Sequence, residues 1–349
     1  MGSLLTRSKA LAIVLFFGTV SLLADITYEG ARGIIPGFLG FLGASAAITT
    51  LIGGVGDFIA QAPRFLVGII VHVTGRYWLF TFLGYALTLT SIPLLCLAHR
   101  WELAAILIIL DRLGKSLRAP ARDALFSGVS KYVGHGLGFG IAELLDQVGA
   151  IIGPLYVALA LMTGLSYQSA FAYLFIPSII ALTILYITYT KYPREVVEVK
   201  EVPRDLSRGI RNLKLIYWKY IAIVTLSVLG VLHIFPLLYR ARELAIAPEW
   251  ILPILYLVAM TTDALIAVPA GLLFDKIGMK IIYLLYPLTI FIPISITFMN
   301  NIYGFIIASI LYGMVLGIHE SALKACVAQL TSPDTRGLAY GIYSTTEWR

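Results

Sequence analysis

Ten separate stretches of this chain are apolar over about the 20 residues that a helix needs to cross the hydrocarbon core of a bilayer. They run over 9–39, 44–71, 77–98, 101–130, 134–163 and 167–190. After a polar interval come 215–239, 250–274, 279–299 and 302–329. A bilayer offers no water to backbone groups, so spanning segments must satisfy themselves, and runs of this length do so as helices. Composition agrees. The 349 residues are 59% hydrophobic and 13% charged, with mean hydropathy +0.88, whereas soluble domains carry about 25% charged residues. Disordered chain, a disulfide scaffold and a large soluble enzyme are excluded. Cys96 and Cys326 lie in apolar runs without metal-ligand spacing and read as packing residues. The run over 11–24 follows Arg7 and Lys9 as in a signal peptide. Leu-Leu-Ala is a poor cleavage site, however, and further spans follow at once, so a retained first helix is expected.

Basic residues orient the chain. Arg7 and Lys9 precede span one, Arg76 follows span two, Lys131 follows span four, Lys276 and Lys280 follow span eight, and Arg336 follows span ten. The interval 191–219 adds Lys191, Arg194, Lys200, Arg204, Arg208, Arg211, Lys214 and Lys219. The opposite loops hold little beyond Arg100, Arg240 and Arg242. All the basic loops thus share the side of the N-terminus, which is expected to be cytoplasmic in a multi-pass cell-membrane protein. The expected organisation is a six-helix bundle over 1–191, a cytoplasmic linker over 192–213 and a second bundle over 214–349. The linker contains Pro193 and Pro203 and either stays solvated or lies as a helix on the membrane surface. Residues 337–349 would make about 20 Å of helix, too short to cross. The second bundle is therefore expected to be incomplete: about ten full spans and the start of an eleventh.

An internal repeat joins the two halves. Gly271-Leu-Leu-Phe-Asp275-Lys276-Ile-Gly278-Met-Lys280 follows span eight, and Gly68-Ile-Ile-Val-His72-Val-Thr-Gly75-Arg76 follows span two, an offset of 203 residues from 68 to 271. Gly136-Leu-Gly-Phe-Gly140-Ile141 pairs with Gly337-Leu-Ala-Tyr-Gly341-Ile342, an offset of 201 from 136 to 337. Both matches sit at equivalent topological positions, as in two parallel six-helix halves. With Asp111-Arg112-Leu-Gly-Lys115-Ser-Leu-Arg118-Ala-Pro120-Ala-Arg122-Asp123 and Leu145-Asp146-Gln147-Val-Gly149-Ala-Ile-Ile-Gly153-Pro154, the chain resembles the major facilitator superfamily of secondary transporters, in particular a prokaryotic permease subgroup of unassigned substrate. The resemblance covers essentially the whole chain. It implies an all-α membrane fold of two parallel-repeat bundles. It also implies a conformational latch at Gly68, His72, Gly75, Arg76, Gly271, Asp275 and Gly278. His72 departs from the family's aspartate and cannot supply a permanent negative charge, so the first copy lacks the charge that the second has in Asp275. Asp275 can cap a helix start while pairing with a base.

Ionisable residues at bilayer depth cost about 2.5–3.5 kcal/mol each on insertion scales, so each asks for a reason. Asp25, Glu29 and Arg32 form a helical stripe in span one, and Asp57, Gln61 and Arg64 another in span two. Span four holds Asp111, Lys115, Arg118 and Arg122, and span five holds Glu143, Asp146 and Gln147. Acids and bases nearly balance in the first half, so mutual pairing accounts for most of them. Asp111, Glu143 and Asp146 lie deepest, while snorkelling and loop contacts suffice for Arg122 and Asp123. The second half has Asp263, then Glu320 and Lys324 one turn apart, with His319 beside them. Gly149, Gly153 and Pro154 form a helix-packing motif resembling that of antiporter members of the superfamily.

These residues favour a carrier that moves a small solute by alternating access, coupled to protons or another ion, with efflux by antiport slightly favoured. The expected pathway is Asp25, Glu29, Arg32, Asp111, Lys115, Arg118, Glu143, Asp146, Asp263 and Glu320. Asp146 and Glu143 would exchange protons, and Arg118 and Lys115 would hold them or an anionic substrate. A small-anion carrier follows if the span-four cations face the cavity unpaired. A membrane protein that does not transport, or an inactive fragment of a carrier, is the alternative. No Walker loop, metal-spaced cluster or nucleophile elbow points to an enzyme. No cofactor, metal or nucleic acid is expected; the partners are the lipid bilayer, the solute and the coupling ion, and the chain is expected to be a monomer.

Overall fold

The computed structural model describes residues 6–130, 132–133, 135–192, 211, 213–319, 323, 326–327, 330–331, 339 and 342–343. The side chains of His72, Glu143 and Asp275 lie outside the described residues, as do Glu320, Lys324, Arg336 and most of the stretches 192–213 and 337–349. Helices α1 (Arg7–Phe41), α2 (Ala46–Gln61), α3 (Arg64–Thr74), α4 (Tyr77–Leu94), α5 (Trp101–Ser130), α6 (His135–Met162), α7 (Tyr167–Tyr173) and α8 (Phe175–Lys191) come first. Helices α9 (Leu215–Gly230), α10 (Ile234–Glu243), α11 (Ile251–Ile277), α12 (Ile282–Phe298) and α13 (Ile302–Ile318) follow.

Six of the described helical stretches are long and apolar enough to span a bilayer, and three shorter ones are as apolar. These nine and α5 fall one to each of the ten expected spans. Helix α5 fails a purely hydropathic test because it carries Asp111, Arg112, Lys115, Arg118, Arg122 and Asp123 along 30 residues. Three expected spans are divided: the second, the sixth, where α7 and α8 meet at Leu174, and the seventh. The second divides at Pro63, which has no N–H to continue the ladder; the Arg64 side chain donates to the Ala60 carbonyl at 2.8 Å across the break. The seventh divides before His233, whose ring accepts from the Phe235 N–H and starts α10 afresh.

The chain forms two compact units. The first comprises 1–34 and 66–200. Its core at one end gathers Ile13, Val14 and Phe17 of α1, Val67 and Val71 of α3, and Leu125, Phe126 and Val129 of α5. Trp78 and Tyr192 pack edge to face beside it at 5.3 Å, and the Tyr192 hydroxyl donates to the Leu125 carbonyl at 2.8 Å. The second unit comprises 35–65 and 201–349. There α11 packs on α13 because Gly313 and Gly317 present bare backbone to Ala259 and Asp263. Buried tyrosines fasten its later part: Tyr217 donates to the Ala339 carbonyl at 2.8 Å, and Tyr220 to that of Leu323 at 2.7 Å.

The two copies of the repeated motif end their helices alike. Gly75 follows α3 with φ +66°, and Gly278 follows α11 with φ +61°. Each N–H bonds back to the carbonyl four residues earlier, Val71 and Phe274 respectively. This left-handed turn is open to glycine at little cost, which explains why both copies keep it.

Candidate substrate and ion pathway

Close helix approach assembles a polar interior in the first unit. A Cβ on Gly149 would lie 2.5 Å from the Leu22 carbonyl oxygen, and one on Gly153 would lie 2.8 Å from the Gly30 nitrogen. Helix α6 therefore meets α1 backbone to backbone, with Pro154 inside α6 just beyond. On the other side, a Cβ on Gly114 would sit 2.6 Å from the Gly84 oxygen, so α5 lies equally close to α4. Side chains flanking these contacts are forced together.

The α1 stripe is sealed: Asp25, Glu29 and Arg32 are 6%, 3% and 2% exposed. On α5, Asp111 and Arg112 form an ion pair at 3.5 Å, both buried, and Thr88 of α4 donates to the Asp111 carbonyl at 3.2 Å. Lys115 lies 4.9 Å from the centre of the Tyr28 ring. Arg118 lies over the rings of both Tyr28 and Tyr85. One turn on, Arg122 donates to Ser21 of α1 at 2.6 Å and to Asp123 at 3.0 Å. It also feels Tyr85 and Asp146 electrostatically. Asp146 is half-buried on α6.

The structure thus brings Arg32, Lys115, Arg118 and Asp146 into one unit with the α1 acids, and leaves Asp263 in the other, 1% exposed on α11. Glu143 stands on α6. Of the residues expected to form the latch, Gly68 would bring an added Cβ into ordinary contact with Pro120 at 3.7 Å, Arg76 is exposed, and Gly271 has open space around it. Four residues escaped the sequence reading: Ser21, Tyr28, Tyr85 and His233. Arg122 escaped in part, since its role was assigned to snorkelling while its guanidinium reaches inward to Ser21.

His233 belongs to the second unit, where its Nε2 meets Asp57 Oδ2 on α2 at 2.7 Å, both side chains nearly buried. A Cβ on Gly53, one turn before Asp57, would strike the His233 ring at 2.8 Å, so the glycine admits the imidazole. Beyond it, Tyr239 donates to the Ala44 carbonyl at 2.9 Å.

Buried charges on bilayer-length helices accompany a glycine motif repeated in both halves, and residues 5–348 match the family model of the Major Facilitator Superfamily. The chain belongs to that superfamily. An uncharacterized protein of Mycobacterium tuberculosis is 33% identical over 345 residues, 96% of this chain and 83% of the relative. An uncharacterized MFS-type transporter of Methanocaldococcus jannaschii is 30% identical over 346 residues, 95% of this chain and 84% of the relative. The crystal structure of a D-xylose-proton symporter matches 97% of this chain and 87% of its own with a TM-score of 0.69 at 14% identity, a likeness of fold. This facilitator-superfamily chain is an all-α, multi-pass membrane protein of a transporter family.

Proposed function

We propose that the chain is a secondary active carrier that moves a small solute by alternating access, coupled to protons. The observation that supports it is the buried stripe of Asp25, Glu29 and Arg32 on α1, a helix whose Ser21 and Tyr28 meet the cations of α5 inside one unit. Apolar residues would pack such helices at lower cost. Charges retained in membrane-crossing helices point to a solute or ion path. In this reading Asp146 and Glu143 take up and release the proton, and Asp111, Lys115 and Arg118 line the path with the α1 stripe. Asp263 and Glu320 serve the second half. The bundles over 1–191 and 214–349 rock, joined by 192–213, with the N-terminus cytoplasmic and the repeated glycine motifs as the latch. The Gly149, Gly153 and Pro154 contact with α1 tilts the direction toward efflux by antiport.

The test is flux in proteoliposomes holding a pH-sensitive dye, under an imposed pH gradient. Sugars, amino acids, nucleosides, organic acids and organic cations are offered in turn. Solute-dependent proton movement, abolished by a protonophore, is expected for one class. Solute movement indifferent to the gradient would remove proton coupling and keep the carrier. Failure of every class to move, with the protein folded in the vesicles, would remove both.

A further inference from the structure

Arg118 is bound differently from the other arginines of α5. Arg112 has Asp111 beside it, and Arg122 has Asp123 and Ser21. Arg118 has aromatic faces: its guanidinium carbon lies 4.6 Å from the centre of the Tyr85 ring and 5.4 Å from that of Tyr28. Rings over a guanidinium engage its π-faces and leave the N–H donors in its plane to find acceptors elsewhere. Arg118 makes no hydrogen bond or ion pair among the described residues, although it is 5% exposed. Its Nη1 is buried without an acceptor, while the buried Tyr85 hydroxyl also interacts with Arg122. Lys115, one turn earlier, stands over the same Tyr28 ring. Three cations, Lys115, Arg118 and Arg122, therefore stand around the Tyr28–Tyr85 pair.

Buried donors without acceptors are costly, and a ligand that brings an acceptor recovers that cost. A guanidinium fork fits a carboxylate or phosphate through two parallel bonds, while an ammonium adds a point charge. We propose that Arg118, with Lys115 and the Tyr85 hydroxyl, holds the anionic group of the transported solute, a carboxylate or a phosphate. The site rests on the carrier reading above, but binding can be measured without flux.

The purified chain in lipid nanodiscs is melted with succinate, inorganic phosphate or glucose, at ionic strength matched with chloride. A saturable rise in melting temperature is expected with succinate or phosphate and none with glucose. Which of the two acts distinguishes a carboxylate from a phosphate. Arg118→Gln should weaken the response at least tenfold, and Arg118→Lys should restore part of it. Tyr85→Phe keeps the ring and loses the hydroxyl, and should weaken it several-fold. If Arg118→Gln does not fold, Tyr85→Phe and Lys115→Gln carry the test, and an unchanged anion response in both overturns the site. An undiminished response in folded Arg118→Gln overturns it as well, and so does a wild-type chain that answers to neither anion. Anion binding without flux keeps the site and sinks the carrier; transport of a neutral solute without anion binding does the reverse.

Discussion

His233 Nε2 lies 2.7 Å from Asp57 Oδ2, while Nδ1 of the same ring accepts from the Phe235 N–H at 3.1 Å. A nitrogen that accepts carries no hydrogen, so the hydrogen bonds assign it to Nε2, which donates to the carboxylate. One imidazole therefore starts α10 and ties it to α2. His233→Ala loses both functions, whereas His233→Asn keeps a capping side chain and loses the reach to Asp57. Thermal melting in detergent should rank wild type above Asn and Asn above Ala. The cap is worth about 1 kcal/mol, and the loss of Asp57's partner about 1–3 kcal/mol. Equal melting of the two variants would show that the cap contributes nothing.

Glycines of the two units should respond oppositely to a methyl group. Gly153→Ala pushes a carbon into the α1 backbone, which neither helix can yield without separating. A loss of about 1–3 kcal/mol is expected from overpacking. Gly271 has nothing within 4 Å of an added Cβ and is helical. Gly271→Ala should be neutral or stabilise by about 0.5–1 kcal/mol through helix propensity. Melting curves of the two purified variants settle both signs.

Asp146 shares the electrostatic environment of Arg122. In the proposed cycle Asp146→Asn inserts and purifies normally but loses at least tenfold in pH-driven accumulation. Exchange of labelled for unlabelled solute, which needs no net proton movement, should persist. Undiminished pH-driven flux in this variant would take Asp146 out of the coupling step.

Tyr192 lies just past the end of α8, and burial, then the neighbouring Tyr132, pushes its hydroxyl above the usual tyrosine value. A raised value means that the fold favours the protonated phenol, which donates to Leu125. Its contribution to stability is fully present below the unfolded value of about 10 and is lost as pH rises from there toward the folded value. Tyr192→Phe should lower the melting temperature at pH 7 and flatten its decline above about pH 10. An equally steep alkaline decline in the variant would assign the effect to other tyrosines.

What the sequence could show, and what it could not, divides along one physical line. Apolar length is local, so every described span except the charged α5 falls where hydropathy puts it, and the α1 stripe is visible from spacings of four and three. Breaks inside an apolar run are less visible. Hydropathy passes smoothly through Pro63 and through Leu232–His233, although backbone hydrogen bonding stops at both. Contacts between helices are least visible. Asp57 and His233 are 176 residues apart, and Ser21 and Arg122 are 101 apart. Nothing in the pattern of α5 reveals that Arg118 would find two tyrosine rings and Arg122 a serine. Glycine spacing marked α6 as a packing helix, but only the fold names α1 as its partner.

The charges of α5 also bear on how the protein enters the membrane. Asp111, Arg112, Lys115 and Arg118 near its middle oppose insertion by about 10–14 kcal/mol together, while each Leu, Ile, Phe or Val returns only about 0.3–0.6 kcal/mol. The eleven such residues of α5 cannot offset that sum. Alone, this segment would be passed over by the insertion machinery. It becomes membrane-soluble only once Asp111 and Arg112 are paired and Arg118 lies over Tyr85 of α4. Helices α4 and α5, joined by a short turn and touching at Gly84 and Gly114, must therefore leave the translocation channel as a hairpin. The charged residues of α5 thus set the order of assembly during synthesis, and a lesion at Gly84 would show first as a failure of biogenesis.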